Sequence, residues 1–302
     1  MLGILAVSTA SIFIRFAQQE VASVVIAAYR LGIAALILAP VALIRYRTEL
    51  SQLTQRERML GILSGVFLAL HFATWITSLE YTTVVSSVVL VTTTPIWVAI
   101  LSPFTIKENI SKAIMVGLAL ALAGTMVIAL GDSCLHRGVW ECPSMSEVVE
   151  GGALFGDFLA LAGAWCAAGY VLIGRGIRNR LPLIPYISMV YGTAAVILVG
   201  LVVVSGKQIF GFSGKAYLWL FLLALIPQLI GHSTINWALG LLPAAYVAVT
   251  LLGEPVGSSI LAAIFLREFP GFVQGLGAIF IFVGILVASK PDIISNTNAE
   301  EM

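Results

Sequence analysis

Of 302 residues, 60% are hydrophobic and only 10% charged, and the formal net charge is +1. So little polar surface excludes a water-soluble domain of this length, and the near-neutral balance argues against a nucleic-acid or acidic partner. With a mean hydropathy of +1.04, the class that remains is an all-α polytopic membrane protein whose surroundings are the lipid bilayer.

A spanning helix needs about 20 mainly apolar residues, and ten such runs follow one another along the chain: 2–18, 24–44, 59–78, 84–104, 110–130, 153–174, 183–205, 217–237, 244–266 and 272–289. Their length and lack of alternation select helices over barrel strands. Met1-Leu2-Gly3 enters the first run with no basic segment before it, so no cleavable signal is expected. Loop charge sets the orientation. One set of sides holds Arg45, Arg47, Arg56, Arg58, Lys107, Lys112, Arg175, Arg178, Arg180 and Lys290; the other holds Arg137, Lys207, Lys215 and Arg267. That bias places both termini in the cytoplasm of a multi-pass cell-membrane protein.

The chain repeats itself. Residues 89–108 and 249–268 each carry a proline near the middle and a basic-acidic pair at the end. The offset is constant, since 255 − 95, 268 − 108, 277 − 117 and 284 − 124 all equal 160. Pro95 and Pro255 are therefore matching hinges, because proline removes a backbone donor and clashes with the carbonyl one turn back. Five spans per copy make the second copy enter the bilayer from the opposite side, and inverted repeats with interrupted helices are a transporter signature. The expected organisation is a first five-helix repeat (1–130), an external connecting loop (131–152), a second repeat (153–290) and a polar cytoplasmic tail (291–302). Cys134 and Cys142 share the external loop and either pair there or are two incidental thiols.

Polar residues inside apolar spans are costly and tend to face a bundle interior or a wet cavity. Gln228, His232 and Asn236 recur every four residues on one face of the eighth span, and Phe67, His71, Trp75 and Ser78 form a comparable stripe in the third. Imidazole, aromatic and hydroxyl groups together suit an organic solute better than a bare ion. The bland alternative is hydrogen bonding between neighbouring helices. Glu254 is the one acid near the centre of a span. Its charge would cost about 2.5–3.5 kcal/mol there on insertion scales, so it needs a partner, a proton or a cavity. It either stabilises the broken turn or contacts a proton or a cationic group, which would make transport proton-coupled. Thr94 stands in its place in the first copy, and hydroxyls there can back-bond to the opened turn. Arg30 either snorkels to the external face or holds an anionic group or Glu254, and Arg15 has the same two readings.

The inverted fives, Tyr29-Arg30-Leu31, Pro95 with Lys107-Glu108, and Glu254-Pro255 with Arg267-Glu268 resemble the drug/metabolite transporter superfamily, EamA type, over nearly the whole chain. The resemblance implies a secondary transporter, commonly an exporter of amino acids or other small metabolites, without cofactor or metal. It also implies a central cavity lined by the first, third, fourth, sixth, eighth and ninth spans, which adds Trp165 and Thr94 to the solute-contact candidates. Rival classes are a non-transporting sensor or scaffold on the same fold and, more remotely, an intramembrane enzyme. HExxH is lacking, and Gly156-Asp157 follows Leu154-Phe155 rather than completing a GxGD pattern. Oligomeric state is not readable from the sequence.

Overall fold

The computed structural model describes residues 2–82, 87, 90–136, 139–140, 153–178, 180–265 and 272–290. Cys142, Arg137, Arg267, Glu268 and the tail 291–302 lie outside the described residues. The described helices are α1 Leu2–Ser8, α2 Ala10–Ala17, α3 Ser23–Arg45, α4 Arg47–Ser51, α5 Gln55–Ser78, α6 Thr94–Thr105, α7 Lys112–Cys134, α8 Ala153–Arg178, α9 Leu183–Ser205, α10 Gly214–Leu223, α11 Ser233–Leu239, α12 Ala244–Leu251, α13 Glu254–Phe265 and α14 Phe272–Ala288. Two antiparallel two-residue strands, Leu135–His136 and Val139–Trp140, follow α7. Among the described residues, five helices are long and apolar enough to cross a membrane: Ser23–Arg45, Gln55–Ser78, Leu154–Arg178, Leu183–Ser205 and Gly214–Leu239. Leu2–Ala17, Thr94–Thr105, Lys112–Ile128 and Gly275–Ala288 are shorter apolar helices.

Local chemistry explains where helices start. Thr54 and Glu57 form a reciprocal capping box at α5, and the Ser213 hydroxyl accepts from the Ala216 N–H at the start of α10. Extended Ala22 and Pro182 precede α3 and α9. Those two caps are 160 residues apart, since 182 − 22 = 160.

The same offset governs the interruptions. α12 ends at Leu251, Leu252 and Gly253 leave the helix, and α13 restarts with Glu254 and Pro255. Thr92 and Thr93 likewise precede α6, which starts with Thr94 and Pro95. Each proline therefore falls in a first turn, where its missing N–H would have had no helical partner. Threonine hydroxyls satisfy carbonyls beside the openings: Thr93 donates to Leu90 O at 2.6 Å, Thr94 to Val91 O at 2.8 Å, and Thr250 to Val247 O at 2.7 Å.

Two further irregularities are absent from the sequence reading. The first helix breaks at Thr9, whose hydroxyl donates to Ala6 O at 2.7 Å. Its broken end lies on the start of α13. The Ser8 hydroxyl reaches Glu254 O at 3.1 Å, and Ser258 returns a bond to Ser8 O at 3.0 Å. In the second, the helix between α10 and α11 widens into a π-helical stretch over Ala224–His232. Pro227 lies within it and supplies no backbone donor.

Glycines set the closest helix contacts, and these contacts come in pairs. A Cβ on Gly117 would lie 2.5 Å from Gly284 O, and one on Gly277 would lie 2.6 Å from Gly124 O. Position rises along α7 as it falls along α14, so the two helices are antiparallel. A Cβ on Gly3 would lie 2.9 Å from the Thr234 methyl, and one on Gly163 would lie 3.1 Å from the Thr74 hydroxyl. Adding 160 to Gly3 and Thr74 gives Gly163 and Thr234. In a bilayer, such close backbone approach gains dispersion contact that lipid cannot supply equally well.

Candidate functional site

Arg30 sits within α3 and is 1% exposed. Snorkelling to the external face is therefore corrected: the side chain turns into the bundle. Its Nε donates to Gln228 Oε1 at 2.8 Å, and its guanidinium lies 4.2 Å from the centre of the Phe72 ring. Taking a cation out of water costs several kcal/mol. A charge-assisted hydrogen bond returns about 1.5–3 kcal/mol, and a desolvated cation–π contact about 2 kcal/mol. Nη1 is buried without a hydrogen-bond partner among the described residues. No ion pair joins Arg30 to Glu254 among the described residues.

The π-helical stretch builds the opposing wall. Gln228 is fully buried, and its amide nitrogen has no partner among the described residues. The His232 ring meets Phe72 edge to face at 5.3 Å and Tyr170 at 6.3 Å, with Nδ1 unpartnered in the same sense. Asn236 donates to the Tyr170 hydroxyl and to His232 O at 2.8 Å. Tyr191 lies 3.3 Å from the Ser233 hydroxyl. Of the sequence-derived stripe, Gln228 bonds Arg30, His232 adjoins the same Phe72 ring, and Asn236 bonds Tyr170.

The third-span stripe divides. His71 Nδ1 is 2.9 Å from Gly163 O, and its ring stacks on Trp75 at 5.9 Å. Trp75 is buried with its indole N–H unpartnered among the described residues, so both remain beside the cluster through Phe72. Ser78 instead bonds Trp75 O of its own helix at 2.7 Å and the Ser87 hydroxyl at 2.6 Å. Thr94 bonds Val91 O and, at 3.4 Å, Ala164 O. Trp165 is 42% exposed and belongs to a separate aromatic group, edge to face with Trp97 at 5.5 Å and with Phe158 at 6.4 Å. Arg15 is exposed in the last turn of α2 and does not join Arg30.

Tyr170, Tyr191 and Phe72 are members the sequence did not single out. Nor did it single out a clasp at one end of the bundle. There Glu108 pairs with Arg175 and accepts from the Ala244 N–H at 3.0 Å, while Arg175 also donates to Leu239 O at 3.0 Å and Arg178 to Asn236 O at 3.0 Å. The preceding Lys107 adopts a left-handed φ of 58°, a conformation costing a non-glycine residue about 1–2 kcal/mol. One carboxylate therefore ties the end of α8 to the start of α12.

An apolar groove of about 780 Å³ between α3 and α9 has a different character. Apart from Arg58 and Ser188, the residues around it, including Gly32, Ala35, Leu36, Met189 and Val196, carry no polar side-chain donor.

Comparison with known proteins agrees with this architecture. A family model described as the EamA-like transporter family matches residues 1–130 and 154–290. The uncharacterized transporter YetK of Bacillus subtilis (strain 168) is 27% identical over 216 residues, covering 69% of this chain and 60% of that protein. A second uncharacterized transporter of the same organism, YyaM, is 23% identical over 278 residues, covering 91% and 87%. A solved crystal structure superimposes with a TM-score of 0.75 at 18% identity, covering 95% of this chain and 94% of the other. That likeness is one of fold.

Proposed function

The chain belongs to the EamA-like transporter family, and from that premise we propose that it is a secondary active exporter of small organic metabolites, amino acids or related compounds. It works by alternating access of two inverted five-helix repeats. Its broad character is that of a multi-pass membrane transporter with a small-solute substrate. The finer reading is supported chiefly by the 160-residue correspondence of the halves. Helix restarts at Thr94 and Glu254, caps at Ala22 and Pro182, and the contacts Gly3–Thr234 and Gly163–Thr74 all obey it. Equivalent helices α7 and α14 run antiparallel, as inversion requires. Two similar halves that exchange conformations expose one site to each side in turn.

In this reading the repeats are 1–130 and 153–290, joined externally by 131–152, with the tail 291–302 and both termini cytoplasmic in the cell membrane. Pro95 and Pro255 mark the hinges. Arg30, Gln228, His232 and Asn236 contact solute, His71 and Trp75 extend the wall, and Glu254 serves as counter-charge or proton site. Export as the direction follows from the family resemblance alone. Untargeted comparison of medium and cell metabolites, with and without overexpression, tests direction and solute together. A solute enriched in the medium, and moved unaltered by purified protein in proteoliposomes, supports the proposal. A solute chemically changed by the purified protein would move the reading to an enzyme.

A further inference from the structure

We propose that Arg30 and the amide of Gln228 form the binding site for the carboxylate of a monoanionic organic solute. This names a substrate class for the central cluster and rests on reading that cluster as the solute cavity.

The first argument is charge. Arg30 is a permanent cation with 1% exposure. Its contacts are a neutral amide oxygen and a ring face, and Glu254 forms no ion pair with it among the described residues. Buried charges in native structures are paired or hydrogen-bonded at most of their donors, so this guanidinium is short of an anion.

The second argument is placement of donors. The 2.8 Å bond from Nε to Oε1 uses one donor of the fork and fixes the Gln228 amide beside it. Arg30 Nη1 and Gln228 Nε2 are each buried without a hydrogen-bond partner among the described residues. A carboxylate can accept from a guanidinium and from a primary amide, whereas an ammonium can accept from neither.

The third argument is selectivity. Arg30 is the permanent cation that bonds Gln228 in this cluster. A single guanidinium fits a monoanion better than a phosphate dianion. Phe72, His232, His71 and Trp75 give the surroundings an aromatic character, which suits a solute with an apolar or aromatic body.

The test uses the full-length protein in detergent micelles. Acetate, phenylacetate and indole-3-acetate are titrated against their neutral amides, with phenyl phosphate as the dianion, by tryptophan fluorescence and thermal shift. At least one carboxylate should bind tenfold or more tightly than its amide and than phenyl phosphate. Arg30→Gln should erase that preference, Arg30→Lys should keep part of it, and Gln228→Leu should reduce it severalfold. Equal binding of acids and amides, no binding by any carboxylate, or a preference unchanged in Arg30→Gln would overturn the site. If Arg30→Gln does not fold, the Gln228→Leu and Arg30→Lys selectivities decide. Proteoliposome flux separates the two readings. Carboxylate binding without flux sinks transport and leaves the site standing, while flux of acids and amides alike does the reverse.

Discussion

Arg30 and Gln228 lie 198 positions apart and meet through a 2.8 Å bond from guanidinium to amide oxygen. The bond fastens α3 of the first half to the π-helical stretch of the second. Gln228→Leu leaves a buried charged donor unmatched and should lower stability by about 1.5–3 kcal/mol, measured by unfolding in micelles. Gln228→Glu supplies a carboxylate to the same donor and should not fall below wild type. Equal loss in both variants would mean that packing, not the bond, is what matters at this position.

The glycine contacts carry a paired expectation. Alanine at Gly117, Gly124, Gly277 or Gly284 would place a methyl about 2.5–2.6 Å from a backbone oxygen. Overpacking of this kind costs about 1–3 kcal/mol, so each variant should melt earlier and the four losses should be alike. Loss confined to the α7 glycines or to the α14 glycines would argue against equivalent halves.

Glu108 holds two things at once. Glu108→Gln keeps an acceptor for the Ala244 N–H but removes the charge opposite Arg175, while Glu108→Ala removes both. By comparison with helix-capping losses, the alanine variant should be less stable by about 0.5–2 kcal/mol, with glutamine in between. Thermal melts of the three proteins order them directly.

Outside the spans, Glu20 accepts from the hydroxyl and the backbone N–H of Ser213, at 2.7 and 3.0 Å. These bonds hold its carboxyl below the usual value of 4.5, hydroxyl bond first. A depressed carboxylate contributes stability that is fully present above the unfolded value and lost as pH falls through the folded one. The gap in melting temperature between wild type and Glu20→Gln should therefore be constant above pH 4.5 and close below it. A gap that widens on acidification would contradict the assignment.

The helix interruptions beside Pro95 and Pro255 and the four-residue spacing of Gln228, His232 and Asn236 were legible in the sequence because both rest on local rules, proline chemistry and helical periodicity. Arg30 was not, since six or seven residues into a span is compatible with snorkelling until the partner across the bundle is known. Tyr170 and Tyr191 stand alone in apolar runs, and their hydroxyl partners come from α11. Ser78 misled for the opposite reason: it shares the face of Trp75, yet its hydroxyl is consumed by Trp75 O and Ser87. The π-helical widening at Ala224–His232 also has no periodic signature, although Pro227 lies within it. The repeat was visible only because the offset of 160 is unbroken from Pro95 to Gly124 and from Pro255 to Gly284.

Alternating access is tested most directly at Gln228. In a protein whose three native cysteines are replaced, Gln228→Cys or His232→Cys is exposed to a membrane-impermeant thiol reagent in right-side-out and inside-out vesicles. The account predicts labelling from either face, slowed by a bound solute. Labelling from one face only, at both positions, would contradict it.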